Sequence, residues 1–249
     1  MKMISGMKQH IKEKQRRERF ITDCDKYNAV NNDVCFKINA DEVLPVYEDE
    51  DQAGRLDEHY FLQDIWMARQ VRLSGTDEHY DVGSRVDGFI AHLLSMDIDV
   101  TLIDIRSLDI EVSNLKFRQG DATNLESFPD ESILSLSSLH AIEHFGLGRY
   151  GDDIDPSAWK KVLHSFERVL KRGGFLYLSV PIGEKSHVVF NAHRIFAPRA
   201  IIEELSGMKL VKFSYIENYR IYEIEDFESI EKNMAGKDYL CGCFVFRKK

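Results

Sequence analysis

The chain has 249 residues, of which 43% are hydrophobic and 30% are charged, as in an ordinary folded protein. Its formal net charge of −9 argues against a nucleic-acid substrate, because binding to phosphates needs a basic surface. No run of about 18 apolar residues occurs, so no membrane span is predicted. The basic N-terminal segment lacks the apolar stretch of a signal peptide. We therefore expect a cytoplasmic protein with one α/β domain and attachments.

The N-terminal part, residues 1–56, is predicted to be a helical and irregular attachment. Residues 8–20 hold six Lys or Arg against two Glu, which indicates a solvated helical arm or a patch for an anionic substrate or acidic partner. An acidic run, Asp41–Asp57, follows. The main domain, residues 57–249, is predicted to begin with a helix over 57–72, because its apolar residues recur at helical spacing.

From residue 77 onward, strand patterns alternate with helix patterns, which predicts a mainly parallel sheet covered on both faces. The link between residues 106 and 114 is short for a crossover, so at most a helical turn is expected there. Gly173 and Gly174 are expected to end a helix, and Pro181 to stop the fifth strand. The predicted strands are His79–Val82, Asp99–Ile105, Leu115–Arg118, Ser132–Leu139, Phe175–Val180, Lys209–Ile216 and Leu240–Arg247, and the later helices are Val86–Ser95, Pro156–Leu170 and Pro198–Leu205.

Ligands of such sheets bind beyond the carboxyl ends of the strands. The first strand runs into a Gly-x-Gly-x-x-Gly turn in which Gly83 and Gly88 are present and Arg85 replaces the middle glycine. That glycine lets the backbone approach a pyrophosphate, so its replacement weakens a dinucleotide interpretation and favours a ligand without phosphates. Asp104 ends the second strand, where a carboxylate can accept both ribose hydroxyls of an adenosine.

With Gly120-Asp121-Ala122 after the third strand, these features resemble the class I S-adenosylmethionine-dependent methyltransferases. The resemblance covers roughly residues 77–217 and includes the loop after the fourth strand, Ser138–His144, and the segment Arg168–Pro181. It implies S-adenosylmethionine as cofactor and a doubly wound, mainly parallel, seven-stranded Rossmann-like sheet with an antiparallel last strand. The cofactor-binding residues that it implies are Asp81, Gly83, Ser84, Arg85, Asp104, Ile105, Asp121, Ala122 and Ser138.

Three shorter stretches, HYDVGSRVDGFIAHLL, HFGLGRYGD and FNAHRIF, resemble a subgroup of methyltransferase-like proteins that often accompany bacterial surface-polysaccharide biosynthesis. This association suggests a saccharide or other small-molecule hydroxyl as the methyl acceptor. A general base helps a hydroxyl to react, and imidazole titrates near neutral pH. We therefore expect His140, Glu143 and His144 to be catalytic. The residues expected to contact the substrate are Arg149, Tyr150, His187, Asn191, His193 and Arg194.

Other interpretations of the residues stay open. The segment His140–His144 also spells HxxEH, the zinc-hydrolase signature, but a strand precedes it and no third ligand is evident, so no metal is predicted. An NAD-dependent or nucleotide-sugar enzyme would lack its middle glycine and a Tyr-x-x-x-Lys pair after the fourth strand. A non-catalytic module that binds a partner would fit the basic arm and the altered turn. Residues 1–55 and the insert at 217–238 are candidates for a lid or a homodimer contact.

Overall fold

The computed structural model divides the chain into two compact units, Met1–Arg55 and Leu56–Lys249. Most of the acidic run Asp41–Asp57 lies outside the residues that the structure describes. No helix of the described ranges combines the length and the apolar character needed to cross a bilayer. The structure describes residues 2–33, 36–38, 43–45, 56–109, 111–149 and 151–249.

The first unit contains helix α1, Lys2–Val30, which includes the basic segment 8–20. From residue 10 onward, each side chain of this helix is exposed or half-buried. Ion pairs four residues apart join Lys14 to Glu18 at 3.9 Å and Arg19 to Asp23 at 3.6 Å. Such pairs stabilise a helix by only about 0.2–0.5 kcal/mol each. Among its described side chains, residues 10–30, this helix therefore has no buried face.

The second unit begins with helix α2, Glu58–Leu73. Asp57 caps it, because the Asp57 carboxylate accepts a hydrogen bond of 3.3 Å from the Tyr60 backbone N–H. One face of the helix buries Trp66 and Met67 against the sheet. Each such side chain contributes about 1.5–3 kcal/mol of hydrophobic stabilisation. The capped first turn thereby holds Tyr60 at a fixed place beside the sheet.

The second unit is built on an α/β sheet with the order β3-β2-β1-β4-β5-β10-β8-β9. Strands β3, β2, β1, β4 and β5 run parallel, and β10 lies antiparallel between β5 and β8. A two-stranded hairpin joins β6 to β7. The strands are β1 Glu78–Val82, β2 Asp99–Asp104, β3 Leu115–Gln119, β4 Ile133–Leu139, β5 Leu170–Ile182, β6 His187–Val189, β7 His193–Ile195, β8 Met208–Glu217, β9 Arg220–Ile224 and β10 Leu240–Lys248.

The predicted mainly parallel sheet is confirmed, but within the described residues it has eight strands rather than seven. The additional strand, β9, pairs antiparallel with β8 and lies in the insert at 217–238. Asn218 and Tyr219 connect the two strands with φ values of 51° and 57°. Two left-handed residues make the tight turn that suits a hairpin, but tyrosine rarely adopts that conformation. The turn therefore had no recognisable sequence signal.

Helices cover both faces of the sheet and bury two hydrophobic clusters. In helix α4, Ala158–Val169, the apolar residues Val162, Leu163 and Phe166 lie on one face and are fully buried against the sheet. On the opposite face of the sheet, α2 packs beside α3. A π-helical turn, Val86–Ile90, precedes α3, so the single helix predicted over Val86–Ser95 is two short pieces. The other helices are α3 Ala91–Leu94, α4 Ala158–Val169, α5 Pro198–Glu204 and α6 Ile230–Met234.

The fifth strand differs most from its prediction. Helix α4 ends at Val169 and β5 begins at Leu170, so Gly173 and Gly174 lie inside the strand rather than at a helix end. The pairing of β4 with β5 shifts register across this segment, as in a bulge. Pro181 is also inside β5, where its carbonyl accepts a 2.9 Å hydrogen bond from the Phe196 N–H. The described residues of the link 106–114 contain no helix.

Candidate cofactor and active site

A cavity of about 890 Å³ opens at the carboxyl ends of β1, β2, β3 and β4. The ends of these four strands and the loops after them contribute Gly83, Asp104, Asp121 and His140 to its wall. Binding cavities for cofactors and small ligands commonly measure about 300–1,000 Å³, so this one has room for two small molecules. More distant segments of the second unit add Tyr60, His193 and Tyr239.

The turn after β1 requires glycine at position 83. Gly83 has a left-handed φ of 71°, and its N–H donates to the Ile103 carbonyl at 3.1 Å. A Cβ at this position would lie 3.1 Å from the Ala141 Cβ. Both the conformation and the close approach therefore favour glycine. The backbone after it passes along the cavity wall at Ser84.

Asp81 lies beneath this turn rather than in the cavity wall. Its buried carboxylate accepts hydrogen bonds from the Ser84 N–H at 3.1 Å, from the Ser84 hydroxyl at 2.6 Å and from the Ser137 hydroxyl. Burial raises the pKa of Asp81 to about 6, although these hydrogen bonds favour the ionised form. Asp81 therefore acts by holding the turn in shape.

A buried histidine that the sequence did not single out extends this polar chain. The His79 ring nitrogens lie 2.7 Å from the Ser135 hydroxyl and 2.8 Å from the Ser137 hydroxyl. Burial lowers the pKa of His79 to about 3, so the ring is neutral at physiological pH. Ser137 bonds to both His79 and Asp81, and it thereby joins the histidine to the turn after β1.

Arg85 occupies the place of the middle glycine and lines the cavity. It is half-exposed, pairs with Asp87 at 2.8 Å, and lies with its guanidinium carbon 4.7 Å from the centre of the Tyr60 ring. The third glycine, Gly88, allows α2 to come close, because a Cβ there would lie 2.0 Å from an Asp64 carboxylate oxygen. The turn therefore keeps the close contact between Gly88 and α2. At the position of the middle glycine it instead has Arg85, whose guanidinium stacks on the Tyr60 ring.

Asp104 lies at the end of β2, where it lines the cavity with Ile105. The Asp104 carboxylate accepts two hydrogen bonds from the Arg106 guanidinium, at 3.0 Å and 2.8 Å. It also accepts one from the Arg106 backbone N–H at 2.8 Å. Burial acts to raise the pKa of Asp104, but the bonds from Arg106 outweigh it and hold this pKa below its usual value. A ribose would therefore have to displace the exposed Arg106 side chain.

The segment after β3 places Asp121 and Ala122 in the cavity wall. The Asp121 carboxylate accepts a 2.8 Å hydrogen bond from the Thr123 N–H, which fixes the turn. Ser138, also predicted to bind the cofactor, is fully buried outside the wall. Its hydroxyl donates to the Val82 carbonyl at 2.9 Å and ties β4 to the end of β1.

The loop after β4 brings the three predicted catalytic residues together. His140, whose φ is a strained 49°, lies with Nδ1 3.0 Å from Glu143 Oε1. His144 Nε2 lies 3.6 Å from the same oxygen. The Glu143 side chain is only 2% exposed. Two buried atoms, His140 Nε2 and Glu143 Oε2, have no hydrogen-bond partner among the described residues.

The hairpin β6–β7 contacts the loop after β4 through several hydrogen bonds. The Ala192 carbonyl lies 2.7 Å from His144 Nδ1 and accepts a 2.9 Å hydrogen bond from Arg149. The buried Arg194 guanidinium donates to the Phe145 carbonyl at 2.6 Å and to the Glu143 carbonyl at 3.4 Å. Burial lowers the pKa of Arg194. The hairpin therefore orients the loop after β4 through hydrogen bonds to its backbone.

The residues predicted to contact the substrate divide into three groups. Arg149 and His193 line the cavity. Arg194 lies behind the loop, and His187 and Asn191 are exposed on the hairpin outside the cavity wall. These three were placed near the site because they follow the fifth strand, but the hairpin turns them away. Tyr150 lies outside the described residues.

Two tyrosines that the sequence did not indicate complete the wall around Glu143. The Tyr60 ring centre lies 5.3 Å from that of His140, and the Tyr239 ring centre lies 5.5 Å from that of His193. Burial, and then the Glu143 carboxylate, raise the pKa of Tyr60 to about 12 and also raise that of Tyr239. Neither tyrosine belongs to a motif, because distant parts of the chain supply them.

His140 and His144 also form the two histidines of the HxxEH pattern. Among the described residues, no group of three or more His, Cys, Asp or Glu is arranged to hold a metal ion. His140 and His144 both face the Glu143 carboxylate, and Ile142–His144 is one 3₁₀ turn rather than part of a long helix.

The sheet order and the position of the cavity define the fold of the class I S-adenosylmethionine-dependent methyltransferases. The [4+2]-cyclase SpnF has this fold with a TM-score of 0.54 at 15% identity, over 75% of this chain and 80% of its own. Geranyl diphosphate methyltransferase, solved with GPP and sinefungin, scores 0.53 at 8% identity, over 76% and 78%. A Burkholderia thailandensis 1,6-didemethyltoxoflavin-N1-methyltransferase, solved with S-adenosylhomocysteine, scores 0.52 at 15% identity, over 76% and 79%.

The chain itself belongs to the family described as "Caenorhabditis protein of unknown function, DUF268". The family model matches residues 111–247, which is more than half of the chain. The matched stretch includes the loop after β4, the hairpin β6–β7 and Tyr239. No curated protein sequence matches the chain.

Proposed function

We propose that the protein is an S-adenosylmethionine-dependent methyltransferase that methylates a hydroxyl group of a small molecule or saccharide. The observation that carries this proposal is the pairing, in one cavity, of Asp104 at a strand end with the buried His140–Glu143 pair. The fold of the solved relatives supports methyl transfer as the class of reaction.

The residues around the turn after β1 fit this cofactor. Gly83 lines the cavity, and its left-handed φ and missing Cβ allow the turn to pack closely against Ala141 beside the cofactor site. Asp104 would accept the two ribose hydroxyls once Arg106 swings away, and Asp121 would lie near the adenine. When bound, S-adenosylmethionine supplies a methyl group on a positively charged sulfur. Arg85, in place of the middle glycine, suits a ligand without a pyrophosphate.

The acceptor side needs a base for the hydroxyl proton. If His140 Nδ1–H donates to Glu143 Oε1, the other ring nitrogen, Nε2, carries the lone pair that accepts this proton. Glu143 then holds the tautomer and stabilises the imidazolium that forms. General-base help of this kind contributes about 10²–10⁴-fold to a rate.

Calorimetric titration with S-adenosylhomocysteine tests the proposal. We expect micromolar binding to the whole protein and none of NAD. Asp104→Ala leaves the ribose hydroxyls without an acceptor and should weaken binding by at least about tenfold, which is about 1.4 kcal/mol. Asp99→Ala, at the exposed opposite end of the same strand, is the matched control and should bind normally. A folded protein that does not bind S-adenosylhomocysteine contradicts the proposal.

One observation favours a second candidate, a non-catalytic module with the same fold. Arg106 already satisfies the Asp104 carboxylate, and Arg85 fills part of the turn. Arg106→Ala separates the candidates, because it should tighten S-adenosylhomocysteine binding if Arg106 only covers a ribose site. Unchanged and undetectable binding in both proteins would favour the non-catalytic module.

A further inference from the structure

The second oxygen of Glu143 is the least satisfied polar atom beside the proposed active site. Oε1 bonds to His140, whereas Oε2 is buried and has no hydrogen-bond partner among the described residues. A buried acceptor left without a donor costs about 1–3 kcal/mol, and more when it is charged. Buried oxygens of this kind are usually satisfied by a ligand or an ordered water. Because Glu143 lines the cavity, a bound molecule can supply the missing donor.

Aromatic rings surround this carboxylate. Tyr60, Tyr239 and His193 all line the cavity, and the electric field of Glu143 acts on all three. One ring already contacts a cation, since Arg85 lies over Tyr60. Tyr239 and His193 form a second pair, with ring centres 5.5 Å apart at 47°. Ring faces within about 6 Å of a cation attract it.

The charges of the cavity wall favour the same kind of ligand. Three arginines line the described part of the wall against six carboxylates, which leaves a formal excess of three negative charges. Arg149, which lies in the loop after β4, is exposed and donates to the Ala192 carbonyl, so water screens its charge. The six carboxylates are Asp104, Asp121, Glu143, Asp152, Asp153 and Asp155.

We infer that the methyl acceptor carries a protonated amine beside its hydroxyl, and that this ammonium group binds Glu143 Oε2 beside the contacting rings of Tyr239 and His193. The inference rests on the proposed function and names its substrate class: hydroxylated amines such as amino sugars or amino alcohols. An ammonium group supplies the donor that Oε2 lacks, a charge opposite to that of the wall, and a cation for the ring faces. A phosphate or carboxylate group would meet the opposite field.

Protein-observed NMR on the complex with S-adenosylhomocysteine tests this inference with methylammonium chloride as the probe. We expect saturable shifts of the Tyr239 and His193 ring signals in the millimolar range. Methanol and potassium chloride at equal concentration should produce no saturable shift, because they lack either the charge or the N–H donors. Equal responses to methylammonium and potassium would overturn the inference, as would the absence of any saturable response.

Two variants locate the probe. Glu143→Gln should weaken the methylammonium response by at least about tenfold, and Tyr239→Leu, at a half-exposed ring, by about threefold. Glu228→Gln removes the same charge from an exposed position outside the cavity and should leave the response unchanged. If Glu143→Gln and Tyr239→Leu both respond like the unmodified protein, the inference is wrong. Since the titration starts from the S-adenosylhomocysteine complex, failure to form that complex instead counts against the proposed function.

Discussion

Burial shifts the pKa values of two residues beneath the cavity, His79 and Asp81, in opposite directions. His79 is held neutral, because burial lowers its pKa to about 3, whereas burial raises the pKa of Asp81 to about 6. Ser137 joins the two groups. The unfolded chain binds a proton at His79 near pH 6.5, before the native state does, so this contribution to stability is present above that pH and is lost as pH falls. Asp81 has the opposite effect: between its unfolded pKa of 3.8 and its folded pKa of about 6, its contribution to the free energy of unfolding increases as pH falls.

The larger shift belongs to His79, so acidification should destabilise the native protein through this residue. His79→Gln keeps a polar side chain but cannot titrate. Its free energy of unfolding, relative to that of the unmodified protein, should rise by roughly 1 kcal/mol for each pH unit below about 6. Urea unfolding at pH 7, 6, 5 and 4 measures the difference. His187→Gln removes an exposed imidazole and should show no such trend. A constant difference between His79→Gln and the unmodified protein would refute the assignment.

Most of the cavity-lining residues that the sequence indicated lie at the end of a strand or just after it. Gly83, Asp104 and Asp121 could be predicted because a parallel sheet brings its strand ends to one edge. Tyr60 and Tyr239 could not, because a helix start and a turn before the last strand supply them and neither belongs to a motif. Polar residues beneath the wall, such as Ser138, were predicted as ligand contacts because sequence position alone does not tell a lining side chain from one buried behind it.

At the scale of elements, the hairpin β6–β7 positions the loop after β4 through hydrogen bonds to its backbone. Arg194 is the central contact, because its buried guanidinium bonds to the carbonyls of Glu143 and Phe145. The sequence indicated that this segment would lie over the site, but not that Arg194 faces the loop from behind. Short strands of three residues give too little alternation to be recognised.

Arg194→Met should loosen this connection. Removal of the guanidinium leaves buried carbonyls without a donor and should lower the free energy of unfolding by about 1.5–3 kcal/mol. Hydrogen exchange should also become faster in residues 141–149. The control is Arg199→Met, which removes a mostly exposed ion pair with Glu231 and should cost no more than about 1 kcal/mol. Equal effects of the two substitutions on stability and exchange would show that the hairpin does not order the loop.

Strand and helix boundaries were predicted well where buried residues recur at regular helical or strand spacing. They were predicted poorly where a bulge or turn interrupts that spacing. The stripe of α4 was visible because Val162, Leu163 and Phe166 recur on one face. The end of that helix was predicted at Leu170 and lies at Val169, but Gly173 and Gly174 were wrongly taken as its stop because they have the composition of one. In the structure they instead allow the bulge of β5, where a Cβ at Gly174 would lie 2.9 Å from the Leu134 carbonyl oxygen.

At the scale of the whole molecule, the buried hydrophobic clusters of the described residues lie in the second unit. Both buried clusters draw all their residues from Leu56–Lys249, and each cluster packs on one face of the eight-stranded sheet. The described side chains of α1 are polar or exposed, apart from a few that are half-buried. The second unit therefore contains what a domain needs to fold, namely a sheet with helices on both faces.

A shortened chain of residues 56–249 should consequently fold and keep the proposed cofactor site. We expect a single cooperative thermal transition close to that of the full chain, and S-adenosylhomocysteine affinity within about threefold of it, since that difference is below 1 kcal/mol. The cofactor-side residues Gly83, Asp104 and Asp121 all lie inside the retained unit. Calorimetry on both chains makes the comparison. If the shortened chain folds but binds more than about tenfold more weakly, the first unit contributes to the site, and the lid role considered for residues 1–55 becomes the better explanation.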